Sequence, residues 1–460
     1  MPSQGSIGDR VRGLRLSRRM SQAQLAGPDL SDSYVSLIES GKRTPTPVVA
    51  RLLAERLGCT TEFLLHGIEP RQRIDTELGL RHAELELHHG DPAAAADRFS
   101  EIIKAAGEEN ALLAAHARLG RARALESQGK LGPAVEAYER LRREAAAHPE
   151  RLADLPLTVA LARCYQRAGD TLRARDLGGH ALRQVARLAL THGEIAVDLA
   201  SALVETGSAP AQGQGQSNGG MSYVRQVLLD NGVPAAVDRE AEVHALWKAS
   251  VTAAQGEDSA LAVRLADDAI ATGRPARMAV RLARIAMEWS RLTASASSPT
   301  DVQLDEARGY ASAAAQVFSA FAGTAAEHAM SLVVLAQVQL RSGDPDEAAR
   351  LAGSALDVMA GSPGVTAANA HLVLAQVALT GEGNGTAVAS LRSARGILEA
   401  ATSAAEPNRQ VARSWRELGD LYGRVGAKED QTAAYRRALE SVGVRSALVG
   451  AVTTDSELVR

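Results

Sequence analysis

Cysteine and aromatic side chains are scarce in this chain of 460 residues. The two cysteines, Cys59 and Cys164, belong to no CxxC pair and to no His/Cys cluster. The sequence therefore favours two reduced core residues over a disulfide framework or a metal site. Aromatic residues make up only 3% of the chain, whereas alanine, whose small side chain lets helices approach closely, is abundant. This composition favours an all-α protein, and nothing in it indicates a metal or a cofactor.

Long apolar runs and the motifs of common enzymes are also missing. No apolar run approaches the ~18 residues of a membrane helix, and no leader segment precedes the first predicted helix. We therefore expect a soluble, cytoplasmic protein without a membrane partner. The sequence contains no GxxxxGK followed by Ser or Thr and no HExxH. His88 and His89 are interpreted as a solvated helix end and Asp267 and Asp268 as part of an exposed helix face, so no enzyme is predicted.

Two short helices separated by a tight turn are predicted within residues 21–45. Ser21 and Gln24 have the spacing of a capping box, Gly27 ends the first helix, and Ser31 can cap the second. Helices this short are unstable alone. Amphipathic segments on both sides complete a predicted bundle of five helices within residues 6–67.

This N-terminal segment resembles the phage-repressor class of helix-turn-helix DNA-binding domains, the XRE family. The residues that carry the resemblance are Gln22, Leu25, Ala26, Val35, Ser36, Ile38, Glu39, Gly41, Lys42, Arg43 and Pro45. The resemblance implies that the second helix of the motif lies in the major groove of double-stranded DNA. It implies base-facing positions at Asp32, Ser33 and Leu37, with Ser36 on the same side. It implies phosphate contacts from Gln22, Lys42 and Arg43, and an internal salt bridge between Arg15 and Glu39.

Two of these base-facing residues have a second interpretation. Asp32 can accept a hydrogen bond from a cytosine amino group, or its charge can stabilise the N-terminus of the helix. Leu37 can touch a thymine methyl group, or it can belong to the core. Residues 1–66 hold nine basic and six acidic residues, a net charge of +3 in a chain whose total is −3. The N-terminal domain is thus basic and the rest of the chain is acidic. This distribution of charge is expected if only the N-terminal domain contacts DNA.

The rest of the chain shows recurring helix landmarks. Gly90, Gly129 and Gly169 are each followed five residues later by alanine, and they lie 39 and 40 residues apart by subtraction. This period predicts paired antiparallel helices. The last unit resembles the tetratricopeptide pattern through Trp415, Leu418, Gly419, Tyr422, Tyr435 and Ala438. We predict a helix-turn-helix domain at 1–70, a tetratricopeptide-like α-solenoid of eight to ten helix pairs at 74–445, and a C-terminal tail at 446–460.

The segment 207–220, rich in Gly, Ser, Gln and Asn, predicts a flexible loop, either a tolerated insertion or a mobile lid over a ligand groove. A solenoid of this kind offers a concave groove for a peptide or a partner helix. Tyr165 and Asn369, on predicted first helices of their pairs, are candidate groove contacts, with core or solvent positions as the alternative.

The combination of domains resembles bacterial regulators that sense signalling peptides and actinobacterial regulators of development and antibiotic production. It implies a sequence-specific transcriptional regulator that dimerises through its solenoid and binds a regulatory peptide or protein there. The alternative is an interaction scaffold whose DNA-binding domain is vestigial.

Overall fold

The computed structural model describes residues 6–66, 70–106, 110–206, 217–235, 237–360, 364–381, 383–402 and 409–442. Every regular element within these ranges is a helix, as the composition predicts. Residues 207–216, which form most of the predicted loop, and the predicted tail at 446–460 lie outside the described residues. None of the described helices has an apolar stretch long enough to span a membrane.

Five short helices form the N-terminal domain. They are α1 (Ile7–Ser17), α2 (Gln22–Ala26), α3 (Asp32–Glu39), α4 (Pro47–Arg56) and α5 (Thr61–His66). Their apolar faces meet in one core that includes Val11, Leu25, Val35, Ile38 and Leu53, each fully buried. Ala23, which the apolar pattern of α2 suggests as an inward residue, is exposed because only one face of this five-residue helix is covered.

The helical array that follows begins with α6 (Pro70–His89), α7 (Pro92–Ala106), α8 (Ala111–Ser127), α9 (Leu131–Ala147), α10 (Asp154–Ala168) and α11 (Thr171–Arg187). It continues with α12 (Glu194–Thr206), α13 (Ser217–Asn231), α14 (Glu240–Gln255), α15 (Ser259–Ala294) and α16 (Asp301–Ser319). It ends with α17 (Ala325–Arg341), α18 (Pro345–Val358), α19 (Val365–Thr380), α20 (Asn384–Thr402), α21 (Arg409–Val425) and α22 (Lys428–Glu440). The prediction of a loop up to residue 220 is wrong at its end, because residues 217–220 form the first turn of α13.

Contacts divide the chain into two compact units. The first comprises residues 1–188 and 239–275, and the second comprises residues 189–238 and 276–460. The first unit holds the N-terminal domain, the pairs α6/α7, α8/α9 and α10/α11, and α14 packed against the N-terminal part of α15. The second holds α12/α13, the C-terminal part of α15 with α16, and the pairs α17/α18, α19/α20 and α21/α22. The described residues thus form nine helix pairs, two of which share α15.

Small residues allow the paired helices to approach each other. A Cβ atom built on Gly120 of α8 would lie 2.4 Å from the buried ring of Phe99 on α7. The same atom on Gly419 of α21 would lie 2.7 Å from the ring of Tyr435 on α22. In both pairs the aromatic ring occupies the space that the glycine leaves open. This close packing gives the physical reason for the small-residue and aromatic landmarks of the repeat.

Adjacent pairs stack through their first helices. In the second unit α17 contacts α19 and α19 contacts α21, and in the first unit α6 contacts α8. In a solenoid each helix pair packs mainly on the pair that follows it in sequence, and these contacts fit that arrangement. In the second unit the first helices α17, α19 and α21 therefore form one continuous layer.

Candidate nucleic-acid interface

The turn between α2 and α3 is fixed by local hydrogen bonds. The Ser21 hydroxyl accepts a hydrogen bond from the backbone of Gln24 at 3.0 Å, and the Gln24 side chain accepts one from the backbone of Ser21 at 2.8 Å. Gly27 ends α2 with φ +54°, a value that favours glycine. The Ser31 hydroxyl then caps α3 by accepting from the backbone of Tyr34 at 3.2 Å. These caps hold two short helices in a defined helix-turn-helix arrangement.

Helix α3 presents two chemically different faces. Val35 and Ile38 are fully buried in the core of the domain. The opposite face is exposed and mostly polar, and it consists of Asp32, Ser33, Ser36 and Leu37, with Ser40 capping the helix. Leu37 has 38% of its surface exposed, so it does not belong to the core, and its side chain is available for contact with a partner.

The exposed polar groups of this face can still form hydrogen bonds with a partner. The hydroxyls of Ser33 and Ser36 make no hydrogen bond within the part of the chain that the structure describes. Asp32 lies in the first turn of α3, where a negative charge stabilises the helix dipole. Its carboxylate is also exposed, so both of the interpretations offered for Asp32 remain compatible with its position.

A buried ion pair joins α1 to α3. Arg15 donates to the carboxylate of Glu39 at 2.5 and 2.9 Å, and both side chains are at most 10% exposed. Gln22, at the start of α2, donates to the same carboxylate at 2.8 Å. Burial alone would raise the pKa of Glu39, but the hydrogen bonds from Arg15 and Gln22 lower it below its ordinary value. The carboxylate therefore stays ionised and holds the C-terminal end of α3 against α1 and the start of α2.

Lys42 and Arg43 follow α3 after Ser40 and Gly41, and both are exposed. Their backbone N–H groups donate to the carbonyl of Leu37 at 3.0 and 3.2 Å, which closes the end of the helix. The guanidinium of Arg43 lies 4.7 Å from the centre of the Tyr34 ring. This cation–π contact holds a positive charge beside the exposed face of α3. The predicted base-facing residues thus share the exposed face of α3, Lys42 and Arg43 are exposed just beyond its end, and Gln22 is bound to Glu39 at the start of α2.

Three other basic residues of the domain bind acceptor groups within the domain itself. Arg15 is bound in the ion pair described above. Arg10 donates to the carbonyls of Leu64 and Leu65 at 3.0 and 2.7 Å and so caps α5. Arg56 donates to the carbonyl of Leu25 at 3.1 Å and closes the end of α2. Charge counting along the sequence cannot distinguish Arg10 and Arg56 from DNA-facing arginines, because their partners are backbone carbonyls distant in sequence.

The two candidate groove residues lie in different units. Tyr165 on α10 is 8% exposed, and its hydroxyl donates to Glu139 at 2.6 Å, so it packs between α9 and α11 rather than lining a groove. Asn369 on α19 is half-buried, and its side-chain oxygen accepts from the Ser414 hydroxyl of α21 at 2.6 Å. Asn369 therefore joins the stacked first helices of the second unit.

Comparison with known proteins identifies the N-terminal domain. Residues 11–64 match the family model described as Helix-turn-helix. No curated protein sequence matches the chain. The matched segment contains α2, the turn and α3, which are the elements that form the exposed polar face. The N-terminal domain is therefore a helix-turn-helix domain.

Comparison with solved structures gives matches that cover most of the chain at low identity. The apo form of the quorum sensor NprR from B. thuringiensis is 12% identical, with 95% of this chain and 99% of that chain covered and a TM-score of 0.47. A Rap protein complexed with Competence and Sporulation Factor is 13% identical, with coverages of 94% and 98% and a TM-score of 0.39. PlcR from B. thuringiensis, in complex with the peptide PapR7 and DNA, is 14% identical, with coverages of 61% and 99% and a TM-score of 0.28. These likenesses bear on neither the ligand nor the assembly of this chain.

Proposed function

We propose that the protein is a sequence-specific DNA-binding transcriptional regulator that acts in the bacterial cytoplasm. The observation that carries the proposal is the exposed polar face of α3, with its free serine hydroxyls, beside the exposed cations of Lys42 and Arg43. In this proposal α3 enters the major groove, where Ser33, Ser36 and Leu37 meet base edges and Asp32 accepts from a cytosine amino group. Gln22, Lys42 and Arg43 contact phosphates and set the register.

The experiment is selection of bound fragments from a genomic library by the full-length protein. A variant carrying Ser33→Ala and Ser36→Ala should bind with a changed or relaxed base preference, because it loses groove-facing hydroxyls only. Ser354→Ala, which alters a partly exposed serine of α18, is the control and should select the same fragments. If the unmodified protein selects no fragment, the alternative of an interaction scaffold with a vestigial DNA-binding domain replaces this proposal.

We further propose that the protein binds DNA as a homodimer assembled through its helical array. One helix-turn-helix domain contacts a short site, and two copies on half-sites one helical turn apart, about 34 Å, give the usual tight complex. Light scattering of the full-length protein during size exclusion gives its mass in solution. A mass twice that of one chain is expected, and a monomer at working concentration would defeat the dimer proposal.

The stacked first helices of the second unit are proposed as the site of a regulatory peptide or protein. The side-chain oxygen of Asn369 already accepts a hydrogen bond from Ser414. The side-chain N–H groups of Asn369 are therefore the ones that can donate to a peptide carbonyl. Gln376 donates to Glu417 at 2.9 Å on the same layer, so neighbouring helices share polar contacts there. Asn369→Ala should weaken capture of a short-peptide library while leaving DNA selection unchanged. Equal capture by both proteins would remove Asn369 from this role.

A further inference from the structure

A cleft in the first unit lies between α6 and α14. One face of α6 packs on the α14–α15 hairpin through Leu78 and Leu85, which meet Val243, Ala262, Ala266 and Ala269. Arg81 donates to Asp267 at 2.6 Å across this contact. Beside the contact remains a cavity of about 350 Å³, within the range of small-molecule sites. It is lined by Asp75, Leu78, Gly79, His82, Val251, Ala254 and Gln255.

The hydrogen bonds around Ser250 determine which nitrogen of His82 carries the proton. Ser250 is fully buried, and its hydroxyl donates its single proton to the carbonyl of Ala262 at 2.7 Å. The Nε2 atom of His82 lies 2.9 Å from the same hydroxyl oxygen, so it must be the donor in that contact. Nδ1 therefore bears the lone pair. Burial, and then the charge of Arg98, lower the pKa of His82, so the ring is neutral at pH 7 and Nδ1 is an acceptor.

A carboxylate lies on the same face of α6 as this acceptor. Asp75 precedes His82 by seven residues, which is two helical turns or about 10 Å along the axis. Asp75 is exposed and has no ion pair within the described residues. Leu78, Val251 and Ala254 form an apolar floor between the two polar ends. The cleft thus offers one anionic acceptor, one neutral acceptor and an apolar surface between them.

We propose that this cleft binds a small protonated amine that carries a second hydrogen-bond donor. The ammonium group lies at Asp75, the short apolar body covers Leu78 and Val251, and the second donor reaches Nδ1 of His82. Anionic ligands are excluded, because their charge would face the Asp75 carboxylate. A ligand held by residues of α6 and α14 together fastens the hairpin to α6, so it slows exchange of backbone hydrogens in α14.

The test uses the full-length protein and 5-aminopentan-1-ol as the probe, with pentane-1,5-diol as the uncharged counterpart. Titration followed by ligand-observed NMR should show binding of the amine with a dissociation constant of roughly 1 mM, which a probe of this size can reach. Hydrogen exchange should slow in residues 240–255 when the amine is present. The diol should bind at least about tenfold more weakly, because it lacks the charge that Asp75 attracts.

Two variants separate this site from general charge attraction. Asp75→Asn keeps the shape of the side chain and should weaken amine binding about tenfold, with the slower exchange of α14 lost. Asp97→Asn changes another exposed carboxylate, on α7, and should leave binding unchanged. Equal binding of amine and diol, unchanged binding by Asp75→Asn, or no binding of the amine at all would each overturn the proposal.

Discussion

Removal of the Glu39 carboxylate tests the structural basis of the DNA-binding domain. In Glu39→Ala the guanidinium of Arg15, which is about one tenth exposed, loses both of its hydrogen bonds to this partner, and Gln22 loses a third. Leaving one charge of a buried pair uncompensated costs about 3–5 kcal/mol. Because every 1.4 kcal/mol is about tenfold in an equilibrium constant, the domain should open at least roughly a hundred times more often.

The assay is hydrogen exchange of the full-length protein, read by mass spectrometry in peptides from α1 and α3. Exchange in these peptides should accelerate strongly in Glu39→Ala, whereas peptides from the second unit should be unaffected. Glu136→Ala is the matched control, since Glu136 pairs with Arg140 at 3.6 Å on an exposed surface and should give no resolvable change. Unaltered exchange of α3 in Glu39→Ala would refute the conclusion that this ion pair holds the motif together.

The same ion pair predicts how the stability of the domain depends on pH. The folded-state pKa of Glu39 lies below its ordinary value of 4.5, so the unfolded chain takes up a proton first as the pH falls. The stabilisation is complete above pH 4.5 and is lost as the pH falls through the lower folded-state pKa. In the unmodified protein, protection of the backbone hydrogens of α3 from exchange should be lost over this same pH range. It should show a smaller pH dependence in Glu39→Ala.

Further predictions concern the array. Gly120→Ala should speed exchange in α7 and α8, because the new Cβ would lie 2.4 Å from Phe99 and overpacking costs about 1–3 kcal/mol. Gly353→Ala, whose Cβ meets nothing within 4 Å, should instead slow exchange in α18, since alanine favours a helix by about 0.5–1 kcal/mol. Glu126→Gln should speed exchange in α8 and α10, because buried Glu126 accepts from Arg163 at 2.5 and 2.9 Å. Breaking that pair costs about 3 kcal/mol. Equal exchange in Gly120→Ala and Gly353→Ala, or unchanged exchange in Glu126→Gln, would contradict these assignments.

Local sequence signals predicted much of this structure. The caps at Ser21 and Ser31 and the helix-ending Gly27 depend on residues within a few positions, so they can be read directly. The glycine and aromatic landmarks of the array are likewise local, and Gly419 does meet Tyr435 where the pattern places it.

Contacts between distant residues could not be predicted in the same way. The packing of α6 on α14 joins residues such as His82 and Ser250, which are 168 positions apart. Nothing near either residue specifies the other. The helix α15 continues through Pro275, although proline usually ends a helix, so its local signal gave no indication of a 36-residue helix. Local pattern therefore defines the elements, whereas long-range packing defines the cleft.

The central claim is that α3 and the cations after it bind duplex DNA, and one titration tests it most directly. Several selected genomic fragments of different sequence are each titrated with the full-length protein and with the Lys42→Ala plus Arg43→Ala variant over a series of salt concentrations. Binding by the variant should weaken uniformly across sequences and depend less steeply on salt, because phosphate contacts are lost. A changed base preference with an unaltered salt dependence, or no retardation of any fragment by the unmodified protein at low salt, would contradict it.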